Sequence, residues 1–421
     1  MTDGISMSRQ QLEQEHQTLR AQYEAFVQKG LRLDMSRGKP CTEQLELSMP
    51  MLQICDYMGE EGIDARNYGT LEGMPEARRF FADLLGTAPE ETLVCGSSSL
   101  TMMYHMAELA MRKGFCESEG WGKGQSKVLC PAPGYDRHFR ITEYLGMELL
   151  LVPMHEDGPD MDLVERLVPD PAVKGIWCVP KYSNPDGYTY SDAVVRRLAA
   201  MKTAEPDFKI FWDNAYAVHH LCDEHEEVLN ILDECRKAGN ENRPLLFTSL
   251  SKVTFPGASV AALAASKANI EYIKANLMPA VISYDKMNQL RHVRYLKDMQ
   301  GLAAHMEKHR AILAPKFEMI LNKFGAAFGE NSEIRWTKPK GGYFISLFTP
   351  KGCAARTVEL CAKAGVTLTP AGAAFPYGKD PDDSHIRIAP SYPTLSELET
   401  AVELLCLAVK LAAVEKSLAE A

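Results

Sequence analysis

No stretch of this 421-residue chain stays apolar and uncharged for the roughly 20 residues a helix needs to cross a bilayer. The amino-terminal MTDGISMSRQQLEQEHQ lacks the charged-then-apolar order of a secretion signal. Eleven cysteines, at 41, 55, 95, 116, 130, 178, 222, 235, 353, 361 and 406, include no C-x-x-C pair. Odd in number and widely scattered, they read as buried thiols of a reducing compartment rather than a disulfide framework or zinc site, so no metal ligand set is expected. A basic excess is missing too: 46 Lys and Arg against 56 Asp and Glu leave a net charge of −10. Without a basic stripe, neither a nucleic acid nor an anionic membrane finds a place to dock. Repeats and low-complexity linkers are absent. These gaps leave a cytoplasmic enzyme as the expectation.

What is present suits a large folded core. The chain is 46% hydrophobic and 24% charged, and its length calls for two packed units. Residues 8–29 carry Leu12, Leu19, Tyr23, Phe26 and Val27 on one helical stripe, closed by Lys29-Gly30. Ser36-Arg37-Gly38-Lys39-Pro40 then breaks the pattern. From about residue 67, helical segments alternate with short apolar runs at 127–130, 148–153, 175–180, 208–212, 245–248 and 259–264. Runs apolar on consecutive residues suit strands buried on both faces, and intervening helices imply a mostly parallel sheet. After about residue 300 the texture changes to a long helix (302–324), strands at 341–346 and 385–388, and a final helix opened by the capping box Thr394-Leu395-Ser396-Glu397. The expected division is 1–66 as a helix and arm belonging to the smaller unit, 67–300 as the large unit, and 301–421 as the smaller α+β unit.

In a parallel sheet, ligands bind beyond the carboxyl ends of the strands, so the residues after each apolar run matter most. Asp213-Asn214-Ala215-Tyr216 follows the run at 208–212. A carboxylate there is costly unless a cation meets it, and a protonated pyridine nitrogen would serve; a plain helix N-cap is the other reading. Ser249-Leu250-Ser251-Lys252 follows the run at 245–248. Partial desolvation would lower the lysine's pKa and make it an amine nucleophile toward an aldehyde, whereas a surface lysine in a loop is the bland alternative. Gly96-Ser97-Ser98-Ser99 leads into a helical run from Leu100, which makes an anion site or an ordinary cap. Asn184-Pro185-Asp186-Gly187 is first a turn whose asparagine could donate to a phenolate, and Tyr135 after Pro133-Gly134 offers a plate for stacking. The order runs anion site, plate, asparagine, aspartate, lysine. The spacings are 29 residues from Asn184 to Asp213 and 39 from Asp213 to Lys252.

That order and spacing resemble the fold-type I pyridoxal-phosphate enzymes, and among them the class I aminotransferases. Asn67-Tyr68-Gly69-Thr70-Leu71-Glu72-Gly73 resembles the family's tyrosine segment, Thr369-Pro370-Ala371-Gly372-Ala373-Ala374-Phe375 its P-G-x-x-F element, and Ile386-Arg387-Ile388-Ala389 its arginine strand. The resemblance implies an α/β fold: a cofactor domain with a mostly parallel seven-stranded sheet flanked by helices, plus a smaller α+β domain. It implies pyridoxal 5′-phosphate bound as a Schiff base to Lys252, which also moves the proton between Cα and the cofactor. Asp213 would pair with the pyridinium, Asn184 and Tyr216 would hold the ring oxygen, and Tyr135 would stack on the ring. Ser97, Ser98, Ser249 and Ser251 would bind the phosphate. Tyr68 would reach the neighbouring subunit's cofactor, which implies a homodimer with shared active sites. Gly38, Asn184 and Arg387 would form the substrate site, with Arg387 gripping the α-carboxylate by a bidentate fork.

One position departs from the family pattern. Many class I enzymes carry a phosphate-binding arginine eight residues after the lysine, where this chain has Val260. Either hydroxyls and amides bind the phosphate, or a cation comes from Lys286, Arg291 or Arg294, within the subunit or across a dimer interface; the cluster could also meet the second carboxylate of a dicarboxylic substrate, and a solvated helix face is its plain alternative. This departure and Ser97-Ser98-Ser99 resemble a divergent branch of bacterial aspartate aminotransferases. The expected activity is ping-pong transamination between aspartate or glutamate and a 2-oxo acid such as 2-oxoglutarate or oxaloacetate. β-Elimination on the same scaffold is the alternative, and a non-enzymatic regulator the third, disfavoured because only about 65 residues without a basic helix-turn-helix precede Tyr68.

Overall fold

The computed structural model describes residues 8–115, 118–329 and 333–421. Its centre is a sheet whose strands run, edge to edge, Thr92–Val94, Ala261–Ala264, Pro244–Ser249, Lys209–Asp213, Val173–Cys178, Lys127–Ala132 and Glu148–His155, with the two-residue Gly158–Pro159 added at the far edge. The five strands from Pro244–Ser249 to Glu148–His155 are mutually parallel. Ala261–Ala264 and Thr92–Val94 pair antiparallel at one edge, as does Gly158–Pro159 at the other. The seven strands expected are therefore joined by an eighth, too short to leave a mark in the sequence pattern.

Alternate residues of the middle strands feed two separate cores. Leu129, Ile176, Ile210, Trp212 and Leu246 face one, while Val128, Cys130, Trp177, Phe211 and Phe247 face the other. Burial on both faces is why these strands read as unbroken apolar runs. Because they are parallel, the segments following residues 132, 178, 213 and 249 all emerge at the same sheet edge, and the register sets Asp213 beside Phe247.

A third core gathers Leu19 and Tyr23 of the helix Arg9–Gln28 with Phe317, Ile320, Leu347, Ile386 and much of the final helix Leu395–Glu420. The capping box at Thr394 and Glu397 forms as its spacing predicts. Around this core lie a three-stranded antiparallel sheet (Arg335–Trp336, Ile345–Phe348, His385–Ile388) and a parallel pair joining Leu33–Asp34 to Val366–Thr367. The helix Met299–Phe328 belongs to both halves: Leu302 and Met306 pack under the large sheet, whereas Phe317 and Phe324 enter the third core.

Two local expectations shift. The strand predicted over 341–346 spans Ile345–Phe348, because Gly341 and Gly342 lie against Tyr182. A Cβ on Gly341 would sit 2.3 Å from the Tyr182 ring, and Gly342 adopts φ +87°, so this segment is a tight approach rather than a pleat. The ten described cysteines are free thiols, but against the expectation of burial Cys55 is exposed and Cys222 half-buried; Cys116 lies outside the described residues. Among the described residues no helix is long and apolar enough to cross a membrane.

Candidate active site

At the shared edge of the parallel strands opens a cavity of about 680 Å³. Ser98, Tyr135, Asn184, Asp213, Tyr216, Ser249, Ser251 and Lys252 line it, as do Gly38 and Arg387 from the other half of the molecule. Ten of the twelve residues singled out in the sequence thus meet in one place. Ser97 is not among the lining, and Tyr68 lies outside the cavity with 79% of its surface exposed.

The Lys252 amine lies 4.9 Å from the centre of the Tyr216 ring and 5.9 Å from that of Tyr343. Burial pulls its pKa below the ordinary lysine value, with Asp213 pulling it partly back up. A lowered lysine pKa raises the share of the neutral, nucleophilic amine. The turn that carries it is tied down through its carbonyls: Tyr343 Oη donates to Lys252 O at 3.4 Å and His305 Nε2 donates to Val253 O at 2.8 Å. Gln44 in turn donates to Tyr343 Oη at 2.9 Å.

Asp213 is buried at the end of its strand, and its two oxygens differ. Oδ2 is 3.1 Å from His138 Nε2, whereas Oδ1 has no hydrogen-bond partner among the described residues. An unpaired buried acceptor costs about 1–3 kcal/mol, which a cationic N–H brought into the cavity would recover. His138 was not singled out in the sequence. It stands one turn into the helix Asp136–Tyr144, stacks on Trp177 (centroids 4.5 Å apart, 9° between planes) and meets Tyr135 edge to face at 4.9 Å. Tyr135 is the extended N-cap of that helix, and the first turn carries His138 back beneath its ring.

At the anion end, Ser98 is the N-cap of the helix Ser99–Lys113, yet its side chain makes no capping hydrogen bond. Its hydroxyl and the first-turn N–H groups are left to a ligand. Ser249 Oγ donates to Ser251 Oγ at 3.1 Å beside them. Val260 is buried in the large-sheet core, so it contributes nothing here. Of the alternative cations, Lys286 donates to the carbonyls of Asn67 and Gly69, Arg294 pairs with Asp56 at 3.2 Å, and neither these nor Arg291 lines the cavity. The basic cluster at 286–294 therefore does not serve the cavity of its own chain. Arg37, Lys39 and Arg137 do line it.

On the opposite wall Arg387 is buried beneath the Phe344 ring, with its guanidinium carbon 5.0 Å from the ring centre. It donates to Asp136 Oδ1 at 2.8 Å, to Asn184 Oδ1 at 3.3 Å and to Thr369 Oγ1 at 3.4 Å. Gly38 has a steric reason to be glycine: a Cβ would fall 2.5 Å from Phe344 Cζ and push that ring off the arginine.

The set fits pyridoxal phosphate. An orphaned carboxylate oxygen awaits a ring N–H, an uncapped helix start with three hydroxyls awaits a phosphate, and a desolvated amine awaits the aldehyde.

The sequence matches the aspartate amino-transferase family over residues 7–421. An aspartate aminotransferase of Corynebacterium glutamicum is 44% identical over 95% of this chain and 94% of its own length. A protein of Mycolicibacterium smegmatis named as an aminotransferase is 46% identical over 99% of both chains. The crystal structure of an aspartate transaminase from Corynebacterium glutamicum superposes with a TM-score of 0.94 at 43% identity, covering 98% of this chain and 99% of that one. Extending over nearly the whole chain, these matches establish that it belongs to the aspartate amino-transferase family, an α/β enzyme of fold type I that works with pyridoxal phosphate.

Proposed function

We propose that this transaminase moves the amino group of aspartate or glutamate to 2-oxoglutarate or oxaloacetate in a ping-pong cycle. The observation that carries the reading is one cavity holding a desolvated lysine, a buried aspartate with a free oxygen and a buried arginine. In it, Asp213 Oδ1 accepts the ring N–H of the cofactor, Ser98, Ser249 and Ser251 with the helix start hold the phosphate, and Tyr135 covers a ring face. Asn184 and Tyr216 hold the ring oxygen. Bound there, pyridoxal phosphate supplies an electron sink beside the substrate Cα. Arg387 orients the substrate by its α-carboxylate, and Lys252 Nζ, once released, takes the proton from Cα and returns it.

A dicarboxylic substrate needs a second cation. Three basic side chains line the cavity besides Lys252 and Arg387, namely Arg37, Lys39 and Arg137, and these supply it in this reading. The name of the Corynebacterium glutamicum relative points the same way. Residues 67–300 act as the cofactor domain, and 1–66 with 301–421 as the smaller domain. The working unit is a cytoplasmic homodimer, with the exposed Tyr68 reaching the neighbouring site.

A panel of amino donors against 2-oxoglutarate and pyruvate tests the reading. Aspartate and glutamate should give the highest kcat/KM with 2-oxo acid acceptors, and pyruvate with ammonia released in the absence of an acceptor would assign the chain to β-elimination instead. Sedimentation at micromolar concentration should return a mass of two chains.

A further inference from the structure

Arg387 already holds a carboxylate belonging to its own chain. Among the described residues, Asp136 is the one acidic side chain in an ion pair with it, Oδ1 standing 2.8 Å from Nη1. The two partners are unequally enclosed: 9% of the arginine side chain is exposed, against 30% of the aspartate. A guanidinium that deep needs an anion, because a buried charge left alone is strongly destabilising. The other acceptors on it, Asn184 Oδ1 and Thr369 Oγ1, are neutral. Asp136 is also free to leave. It is the first residue of the nine-residue helix Asp136–Tyr144, where the helix dipole favours a carboxylate, and water reaches it there.

We infer that Asp136 is a stand-in carboxylate, holding Arg387 in the empty site and giving way when the carboxylate of an incoming substrate takes the same N–H. This rests on Arg387 being the carboxylate grip. Asp136 then sets affinity by competition. A ligand sees the fraction of sites in which Arg387 is free, and its apparent affinity is reduced by that fraction. A stand-in engaged in nine sites of ten weakens binding by about tenfold. The same competition speeds product departure, since the aspartate recaptures the arginine as the product leaves. It also favours ligands that bring a full carboxylate, because a neutral amide cannot compensate the guanidinium that Asp136 abandons.

The test is titration of the holoenzyme with maleate, a dicarboxylate with no amino group to give. Asp136→Asn should bind maleate at least about tenfold more tightly than wild type. Its KM for the amino donor should fall similarly, with no gain in kcat. Maleate should also raise the melting temperature of Asp136→Asn more than that of wild type. A purely structural role would lower the melting temperature with and without maleate and would not tighten binding. Asp136→Ser, lacking both the charge and the amide, repeats the measurement if the first variant folds poorly. Unchanged or weaker maleate binding in the variants overturns the inference, as does a maleate complex in which Asp136 keeps its 2.8 Å contact with Arg387. Wild type that transaminates aspartate while Asp136→Asn fails to tighten sinks this inference alone. No turnover with any donor sinks the functional reading instead.

Discussion

The two walls of the cavity are built differently. One consists of strand ends: Asp213 closes a parallel strand, and Tyr135, Asn184 and Lys252 each follow one, the side chains of these strands being almost wholly enclosed. The other is assembled from the arm at Gly38, the segment at Phe344 and the short strand His385–Ile388, held together by packing between distant parts of the chain. The strand-end wall can keep Asp213 Oδ1 unpaired because a closely packed sheet leaves it nowhere to relax. On the assembled wall, Arg387 finds a charge partner at once. The sheet thus holds a polar group without a partner, whereas the assembled wall carries an ion pair of its own.

Substitutions on the two walls should fail in different ways. Lys252→Ala should cost the most, on the order of 10⁴-fold or more in kcat, since both the attachment and the proton carrier are lost. The colour that borohydride removes should vanish with it, and mass spectrometry of the reduced wild-type protein should find the adduct at Lys252. Turnover at the wild-type rate would break the contrast between the walls. Arg387→Ala should instead leave the cofactor bound and weaken substrate by about 2–5 kcal/mol, read as a rise in KM. Loss of the cofactor band in this variant would mean that the walls do not divide the work. His138→Phe removes the partner of Asp213 Oδ2 and should weaken the hold on the cofactor by about 1–3 kcal/mol, measured by reconstitution of the apoprotein.

The smallest effect concerns a polar chain that joins the walls. Ser346 Oγ donates to Asp186 Oδ1 at 2.6 Å and lies 2.8 Å from His385 Nε2. Burial pushes the Asp186 carboxyl up to about 7. The folded protein then keeps a proton that the unfolded chain sheds near its ordinary value of 3.8, so this group's contribution to stability falls as pH rises towards about 7 and levels off above it. Asp186→Asn should flatten that slope in denaturant unfolding compared between pH 5 and pH 8. An unaltered slope would show that the carboxyl titrates normally.

Legibility in the sequence followed the same divide. Consecutive apolar residues mark a strand buried on both faces, and the polar residue after each one was visible at once, so Asp213 and Lys252 stood out. His138 and Asp136 sit on a helix where a histidine and an aspartate look ordinary, because their meaning lies in Asp213 and in Arg387, 251 residues away from Asp136. Tyr343 reads as part of a strand, since nothing in Gly-Gly-Tyr-Phe announces the close approach to Tyr182 that turns this segment aside. At the basic cluster 286–294 the imbalance is reversed: charge density is plain in a sequence, but the carbonyls that absorb Lys286 are not.

The helix Met299–Phe328 is one stiff rod rooted in two cores, and His305 near its start grips the carbonyl of Val253, next to Lys252. Leverage follows from that attachment. Any tilt of the smaller half must be transmitted along the rod to the lysine turn, or else tear a 2.8 Å hydrogen bond. The posture of the outer half is thereby geared to the aim of a single amine.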